Sequence, residues 1–331
     1  MHAVVLVGGF GTRLRPLTLD VPKPMLPVAN RPMIVRLAER LAAGGVTDIV
    51  LALGFRPDVF RDAFPGDVLN GPFGSVRLQY AVEPEPLDTA GAIRFAADFA
   101  GVTGTFVVAN GDIMTSLPID QLIDFHRRSG AEATIHLTPV VDPSSFGVVE
   151  VDGDGRVQRF VEKPAPGETD SNTINAGTYV FEESVLARID QGRRVSVERE
   201  TFPALVADGA LAALATDDAW IDTGRPELFL AANLAMIAEE GTHGAVIGVA
   251  TIDPTATIID SVIGDGATVE AGATVRGSVL LPGACVRAGA TVTDSSVWGE
   301  IAADVEIIEC VIGQSALVTE SATGRRIPEP D

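Results

Sequence analysis

Of this chain's 331 residues, only two are cysteine, four are histidine and two are lysine. Cys285 and Cys310 are too few and too far apart for a disulfide framework, and four histidines beside them do not make a zinc cluster. No apolar run approaches the roughly 18 residues needed to cross a bilayer. The first apolar segment begins at Ala3 with no basic stretch before it, so neither a membrane span nor a secretion signal is expected, and a cytoplasmic protein is. A net charge of −21 argues against nucleic acid as a partner, because such binding leans on Lys and Arg to neutralise phosphates. A small anionic substrate stays possible, since a local basic cluster can reverse the field inside a cleft.

The scarcity of lysine points to what is present. Of 24 basic residues only Lys23 and Lys163 are lysine, and each precedes a proline, in PKP and EKP. A compact, rotatable ammonium does not replace a planar guanidinium, so these two lysines are candidates for specific anion contacts. The stretch Leu6 to Pro27, LVGGFGTRLRPLTLDVPKPMLP, contains the first of them. Ala3 to Val7 reads as a buried strand, and Gly8, Gly9 and Gly11 form a turn that can bring backbone N–H groups close to an anion. Arg13 and Arg15 add charged donors. The spacing fits neither the dinucleotide fingerprint nor the Walker A loop, and the prolines after Leu14 prevent a regular helix from starting at once.

Strand and helix patterns then alternate. Arg31 to Ala43 has helical periodicity, Thr47 to Leu53 reads as a strand, Asp58 to Phe64 as a short helix and Val76 to Val82 as a strand. A helix is expected from Thr89, with Thr89, Ala90 and Gly91 offering exposed backbone groups at its mouth where a planar base could lie. Thr105 to Ala109 is a strand running into Asn110-Gly111-Asp112, where a carboxylate at a strand end can hold a divalent cation against a polyphosphate. Asp120 to Arg128 reads as a helix and Ala133 to Pro139 as a strand. Phe146 to Val151 and Arg156 to Val161 flank a DGDG hairpin turn, leading to Glu162-Lys163-Pro164. Ile174 to Phe181 is a strand on which Asn175 and Gly177 can face a ligand near Lys163. Glu198 to Val206 suggests a short helix. Asp222 sits in the tight turn WIDTG, and Pro226 to Glu239 makes a long helix that closes the first part of the chain. The pattern predicts an α/β fold with a doubly wound, mixed and mostly parallel sheet, binding ligands beyond the strand carboxyl ends.

From about Thr251 the texture becomes repetitive. SVIG at Ser261, SVLL at Ser278, SVWG at Ser296 and CVIG at Cys310 recur at steps of 17, 18 and 14 residues. Ile252, Ile258, Ile263, Val269, Val275, Leu280, Val286 and Val292 fall every five or six residues, with Gly-Ala pairs between them. This spacing predicts a left-handed parallel β-helix with three short strands per coil. The expected boundaries are residues 1–240 for the α/β domain and 241–331 for the β-helix, with Arg325 to Asp331 frayed at the end. A β-helix cannot bury its terminal surface alone, so a homo-oligomer is expected. Acyl transfer on the β-helix is disfavoured, because the repeats contain no histidine and His243 precedes them.

GGFGTRLRPLT, VPKPMLPVANRPM, EPLDTAG, NGD, VEKP, NAG and WIDTG, followed by hexapeptide repeats, resemble the sugar-1-phosphate nucleotidyltransferases over nearly the whole chain. The nearest resemblance is to the mannose-1-phosphate guanylyltransferase branch. It implies transfer of a nucleoside monophosphate from a nucleoside triphosphate to a sugar-1-phosphate, GTP and mannose-1-phosphate giving GDP-mannose; the alternatives are UTP or dTTP with glucose-1-phosphate or a specialised sugar-1-phosphate and, more remotely, a non-catalytic regulatory or scaffold homologue. It also implies Mg²⁺ as cofactor, held by Asp112 and Asp222. Leu6, Gly8, Gly9, Gly11, Thr12, Arg13, Glu83, Leu87, Thr89, Ala90 and Gly91 are implied as nucleotide contacts. Asn110, Gly111, Glu162, Lys163, Asn175 and Gly177 are implied for the sugar phosphate, with Arg13, Lys23 and Asp112 at the reacting centre. One departure stands out: many relatives have glycine where this chain has Asp88.

Overall fold

The computed structural model describes residues 1–54, 56–241 and 244–329; His243 and the last two residues lie outside the described residues. Contacts divide the chain into two compact units, Met1–Gly9 with Ile34–Trp220, and Phe10–Met33 with Ile221–Asp331.

The first unit is built on a ten-stranded mixed sheet. Its main path runs Val157–Glu162, Gly147–Val151, Thr173–Phe181, Phe106–Asn110, His2–Leu6, Asp48–Leu53, Gly74–Val82 and Val68–Gly71. Ala133–Pro139 branches from Thr173–Phe181 and pairs with Leu211–Ala215. The four central strands, Phe106–Asn110, His2–Leu6, Asp48–Leu53 and Gly74–Val82, are parallel. HAVVL, DIVLAL and FVVAN have the near-continuous apolar character of strands covered on both faces. Helices Met33–Ala43, Pro57–Ala63 and Asp88–Ala100 lie between them in sequence, and Ile119–Ser129 follows the last of them. Because these strands share a direction, their carboxyl ends deliver Gly8, Gly54, Glu83 and Gly111 to one edge of the sheet.

Thr173–Phe181 runs the other way, antiparallel to Phe106–Asn110 and to Ala133–Pro139, with an irregularity between Asn175 and Tyr179. Its amino-terminal half therefore lies beside the carboxyl end of Phe106–Asn110, where Thr178 is opposite Ala109. The hairpin read from DGDG is present, with Gly147 opposite Glu162. Two strands of this sheet escaped the sequence reading: Val68–Gly71, which pairs with Gly74–Val82 across a two-residue turn, and Leu211–Ala215. The core beneath the sheet is aromatic. Tyr179, Phe181 and Phe202 meet in edge-on and stacked pairs with ring centroids 5.2–6.3 Å apart.

The second unit contains the left-handed parallel β-helix, three sheets of six, five and five strands in which each strand pairs in parallel with its successor one coil on. The residues read as recurring every five or six positions point inward: Ile263, Val269, Val275, Leu280, Val286 and Val292 are buried together, and Ile252 and Ile258 pack against them. The Gly-Ala pairs divide the work of turning. Gly266, Gly272, Gly283 and Gly289 take φ of +71°, +69°, +78° and +70°, while Ala267, Ala273, Ala284 and Ala290 fill the core.

The repeat register needs one correction. Val279 pairs with Ser296, so the coil equivalents are Ser261, Ser278, Ser295 and Cys310, and Ser296 is offset by one. Each of these buried side chains donates to the carbonyl two residues before it and accepts the N–H of the next coil. The ladder continues from Cys310 Sγ to Arg325 N at 3.4 Å. The expectation of fraying is thereby overturned for Arg325 to Ile327: Arg326–Ile327 is a strand paired with Val311–Ile312. Backbone pairing to a finished coil orders it, a contact that its polar composition did not reveal.

Phe10–Met33 belongs to the same unit. Helix Pro226–Glu240 packs on Pro27–Val28 and on three strands of the β-helix, through Phe229, Ala232, Asn233 and Met236 on its buried face. Pro27–Val28 and Arg31–Pro32 form a tight hairpin whose central residues, Ala29 and Asn30, take φ of +46° and +65°. Ala29 N donates to Asn233 Oδ1 at 3.0 Å, and Asn30 Nδ2 donates to Ile263 O at 3.0 Å.

Candidate functional site

In the first unit the strand ends are closely fitted. Gly111 N donates to Leu6 O at 2.9 Å, and a side chain at residue 111 would stand 2.6 Å from a Val7 methyl. Gly111 is thus required for Asn110 and Asp112 to leave the sheet beside Leu6. A Cβ at Gly8 would lie 3.6 Å from Glu83 Oε1, while one at Gly9 meets no protein atom within 4 Å. Packing within the chain does not demand glycine at residue 9. Glu83 is half-buried and its other oxygen accepts Leu87 N at 3.0 Å. Burial raises its pKa above the usual carboxylate range, and that hydrogen bond opposes the shift.

Helix Asp88–Ala100 begins as the sequence indicated, but its first turn is used differently. Ala90 N and Gly91 N both donate to Val195 O, at 2.9 and 3.1 Å, and Val195 N donates back to Leu87 O. The expectation that Ala90 and Gly91 expose free backbone donors is therefore corrected. Gly91 is small because Arg193 O would be 2.6 Å from any Cβ there. Thr89 Oγ1 donates to Glu198 Oε2 at 2.8 Å and accepts Val197 N, tying the helix mouth to a segment 109 residues on. Nothing in the local pattern around Glu198 marked this role. Asp88 has φ of +61°, the left-handed region that favours glycine. Glycine would take this conformation without strain, and aspartate is among the few side chains that tolerate it. Its carboxylate faces Arg194 at 3.6 Å.

On the antiparallel side, Asn175 Oδ1 accepts Gly177 N and Asn175 Nδ2 donates to the buried Tyr179 hydroxyl, both at 3.0 Å. Gly177, at φ +76°, carries no Cβ where one would meet Asn110 Nδ2 at 2.7 Å. Asn110, Asn175 and Gly177 are brought together as the sequence indicated. Trp220 Nε1 holds Ala176 O at 2.9 Å and its ring lies edge-on to Phe146 at 5.7 Å, closing this corner. Glu162 and Lys163 follow Phe146: Lys163 N donates to Phe146 O, and its ammonium stands 3.5 Å from Glu162 Oε1. Lys163 has φ of +53°, so its side chain leaves the strand end in a direction an extended residue could not give, and 59% of it is exposed.

In the second unit Gly11, Arg13, Lys23 and Asp222 come together. Gly11 takes φ of +60° and opens the turn Thr12–Leu14; its carbonyl accepts Thr18 Oγ1 at 2.7 Å. Lys23 is buried, with Nζ 3.5 Å from Asp222 Oδ1, and the same oxygen accepts Gly224 N at 2.9 Å. A Cβ at Gly224 would meet Asp222 Oδ1 at 2.9 Å and an Arg13 guanidinium nitrogen at 3.0 Å. The glycine of WIDTG lets an arginine, a lysine and a carboxylate share one turn. Arg13 and Lys23 bring two cationic groups to this turn, the sign a phosphate requires. Among the described residues no group of three or more His, Cys, Asp or Glu is arranged to hold a metal ion. With fewer than three such side chains together among the described residues, a bound cation would draw most of its oxygens from water or substrate.

Residues 2–239 match the family described as nucleotidyl transferase. An alignment of 274 positions that covers 78% of this chain is 43% identical to the mannose-1-phosphate guanyltransferase of Emericella nidulans and spans 73% of that protein. The mannose-1-phosphate guanylyltransferase of Mycobacterium tuberculosis is 43% identical over an alignment of 281 positions that covers 81% of this chain and 76% of its own length. Among solved structures, HddC from Yersinia pseudotuberculosis aligns with a TM-score of 0.60 at 29% identity, covering 71% of this chain and 99% of that one. The same protein complexed with GMP-PN aligns at 0.59.

Proposed function

This chain belongs to the nucleotidyl transferase family, and from that premise we propose that it joins GTP and mannose-1-phosphate to give GDP-mannose and pyrophosphate. The class of reaction rests on one observation above the others, the buried Lys23 and the Arg13 guanidinium gathered about Asp222 and Gly224. The choice of substrates rests on the 43% identity to the two guanylyltransferases.

The sugar-phosphate oxygen attacks the α-phosphorus in line, and pyrophosphate departs from the opposite side. Neither group needs a strong base, so holding two mutually repelling anions in line accounts for most of the barrier lowering. Gly8, Gly9, Gly11, Thr12 and Arg13 take the triphosphate, and Leu6, Glu83, Leu87 and Thr89 the nucleoside. Ala90 and Gly91 serve this region by close packing. Glu162, Lys163, Asn110, Gly111, Asn175 and Gly177 take the sugar and its phosphate, with Lys23 and Asp112 beside the reacting atoms. Nucleotidyl transfer in this family uses a divalent metal ion. We assign Mg²⁺, with Asp112 and Asp222 as its protein ligands. A site with few carboxylates suits this ion, which keeps water and substrate phosphate oxygens in its shell; when bound it offsets charge on the triphosphate.

We place the reaction in the cytoplasm, which holds the nucleoside triphosphate pool; among the described residues no helix is long and apolar enough to cross a membrane. Residues 1–240 carry the catalysis and 241–331 the β-helix. A matrix of five nucleoside triphosphates against several sugar-1-phosphates, read by pyrophosphate release, is expected to give the highest kcat/KM for GTP with mannose-1-phosphate. A tenfold preference for UTP or dTTP would sink this assignment. Self-association is the remaining element: light scattering at micromolar concentration is expected to report a dimer or larger assembly with Thr251 to Gly313 contributing, and a monomer would defeat it.

A further inference from the structure

The proline-rich loop that carries Arg13 has little regular structure of its own. Between Gly11 and Leu26 it forms two short 3₁₀ turns, Thr12–Leu14 and Lys23–Met25. Most of what orders it must therefore come from neighbours. Within its unit those neighbours are distributed along the loop. Ala29 and Asn30 are held by Asn233 and Ile263. Pro16 seats against Gly313, where a Cβ would stand 3.0 Å from the proline ring. The stretch nearest the phosphate-facing end is held by Arg326: its Nη1 donates to Arg13 O at 2.9 Å and reaches Arg15 O at 3.5 Å.

We propose that Arg326, on the last coil of the β-helix, is a positioning residue for the triphosphate loop. The proposal rests on the reading of Thr12 and Arg13 as triphosphate contacts. The Arg13 carbonyl lies within the 3₁₀ turn and the Arg15 carbonyl just after it, and one guanidinium nitrogen binding both fixes the direction in which the backbone leaves the turn. That direction decides where the Arg13 side chain goes, and the side chain lies against Gly224 and Asp222. Arg326 does this from a strand that is itself locked: Ile312 and Ile327 are paired, and Arg325 N is bound to Cys310 Sγ. The β-helix then does more than enlarge the protein, since its final coil holds the main chain of the loop 313 residues earlier in sequence. Lysine could not substitute fully, because its ammonium rotates freely, whereas the planar guanidinium fixes where the Nη1 hydrogens point.

Two measurements on Arg326→Ala and Arg326→Lys test this. Hydrogen–deuterium exchange of the ligand-free protein is expected to speed up in residues 10–19 of Arg326→Ala, with the coils of residues 251–300 at the parental rate. In steady state, KM for GTP is expected to rise about tenfold with KM for mannose-1-phosphate unchanged, since a slightly misplaced donor weakens one substrate only. Arg326→Lys is expected to fall between parent and alanine in both readouts. Parental exchange in residues 10–19 of a folded Arg326→Ala protein overturns the proposal. So does faster exchange confined to residues 311–327, which would make Arg326 a staple of the β-helix end alone, and so does an equal rise in both KM values. If Arg326→Ala fails to fold, the lysine variant decides by the same criteria. Should the parent turn over none of the nucleotides, the exchange result still decides whether Arg326 orders the loop, and the functional reading falls separately.

Discussion

Asp222→Asn is expected to lower turnover on the order of 10²-fold or more while the protein stays folded, the scale set by removing one major electrostatic contact from a reacting centre. Asparagine keeps the oxygen that accepts Gly224 N, so the WIDTG turn can persist. What it loses is the negative charge facing Lys23 Nζ at 3.5 Å, and with it the capacity to hold a cation. If Asp222 were only a turn former, the substitution would cost about 0.5–2 kcal/mol of stability and little activity. Steady-state rates across a Mg²⁺ titration separate the two, with circular dichroism as the control for folding. A folded Asp222→Asn protein with near-parental kcat and unchanged Mg²⁺ dependence would strike the residue from the metal site. Asp112→Asn is expected to behave in the same way, because Gly111 fixes its backbone independently of the side-chain charge.

The two lysines are expected to differ in kind. Lys23→Ala should lower kcat by about 10²-fold, in line with losing a charge-assisted contact of roughly 1.5–3 kcal/mol in a buried setting. Lys163→Ala should mainly raise KM for the sugar-1-phosphate, about tenfold, with a smaller change in kcat. The difference follows from their surroundings. Lys23 is buried between two prolines with its ammonium against Asp222, so it is held before any substrate arrives. Lys163 is largely exposed at a strand end and pairs with its own neighbour Glu162, so much of its stem must be ordered on binding. Full kinetics with each substrate varied in turn, alongside the melting temperature of both variants, make the comparison. Equal effects on kcat and on both KM values would mean that the two side chains act on one phosphate.

Much of this protein can be read along the chain, and the legible parts share a cause. Three of the four central parallel strands announced themselves through near-continuous apolar runs, and the β-helix through buried residues five or six apart, because both patterns are imposed locally by the faces an element must bury. The glycine-rich turn, PKP, EKP, NAG and WIDTG stood out because the phosphate and sugar contacts proposed for them call for particular residue types at short spacing. What stayed hidden depends on segments distant in sequence. Ala90 and Gly91 look like free helix-mouth donors until Val195 arrives to take both N–H groups. Thr89 gains a partner in Glu198 that no local pattern marks. Asp88 looks like an added carboxylate near a base, and only its φ of +61° reveals a conformation that glycine would take without strain. The end of the chain reads as loose because its residues are polar, yet the stacking of one coil on the next orders Arg326 and sets it on the carbonyls of Arg13 and Arg15. Local periodicity and composition settle which face of each element is buried and which residue types gather at its ends. Hydrogen bonds between residues hundreds of positions apart carry no such periodic trace, so the bracing of the phosphate loop by the β-helix emerges only once the chain has folded.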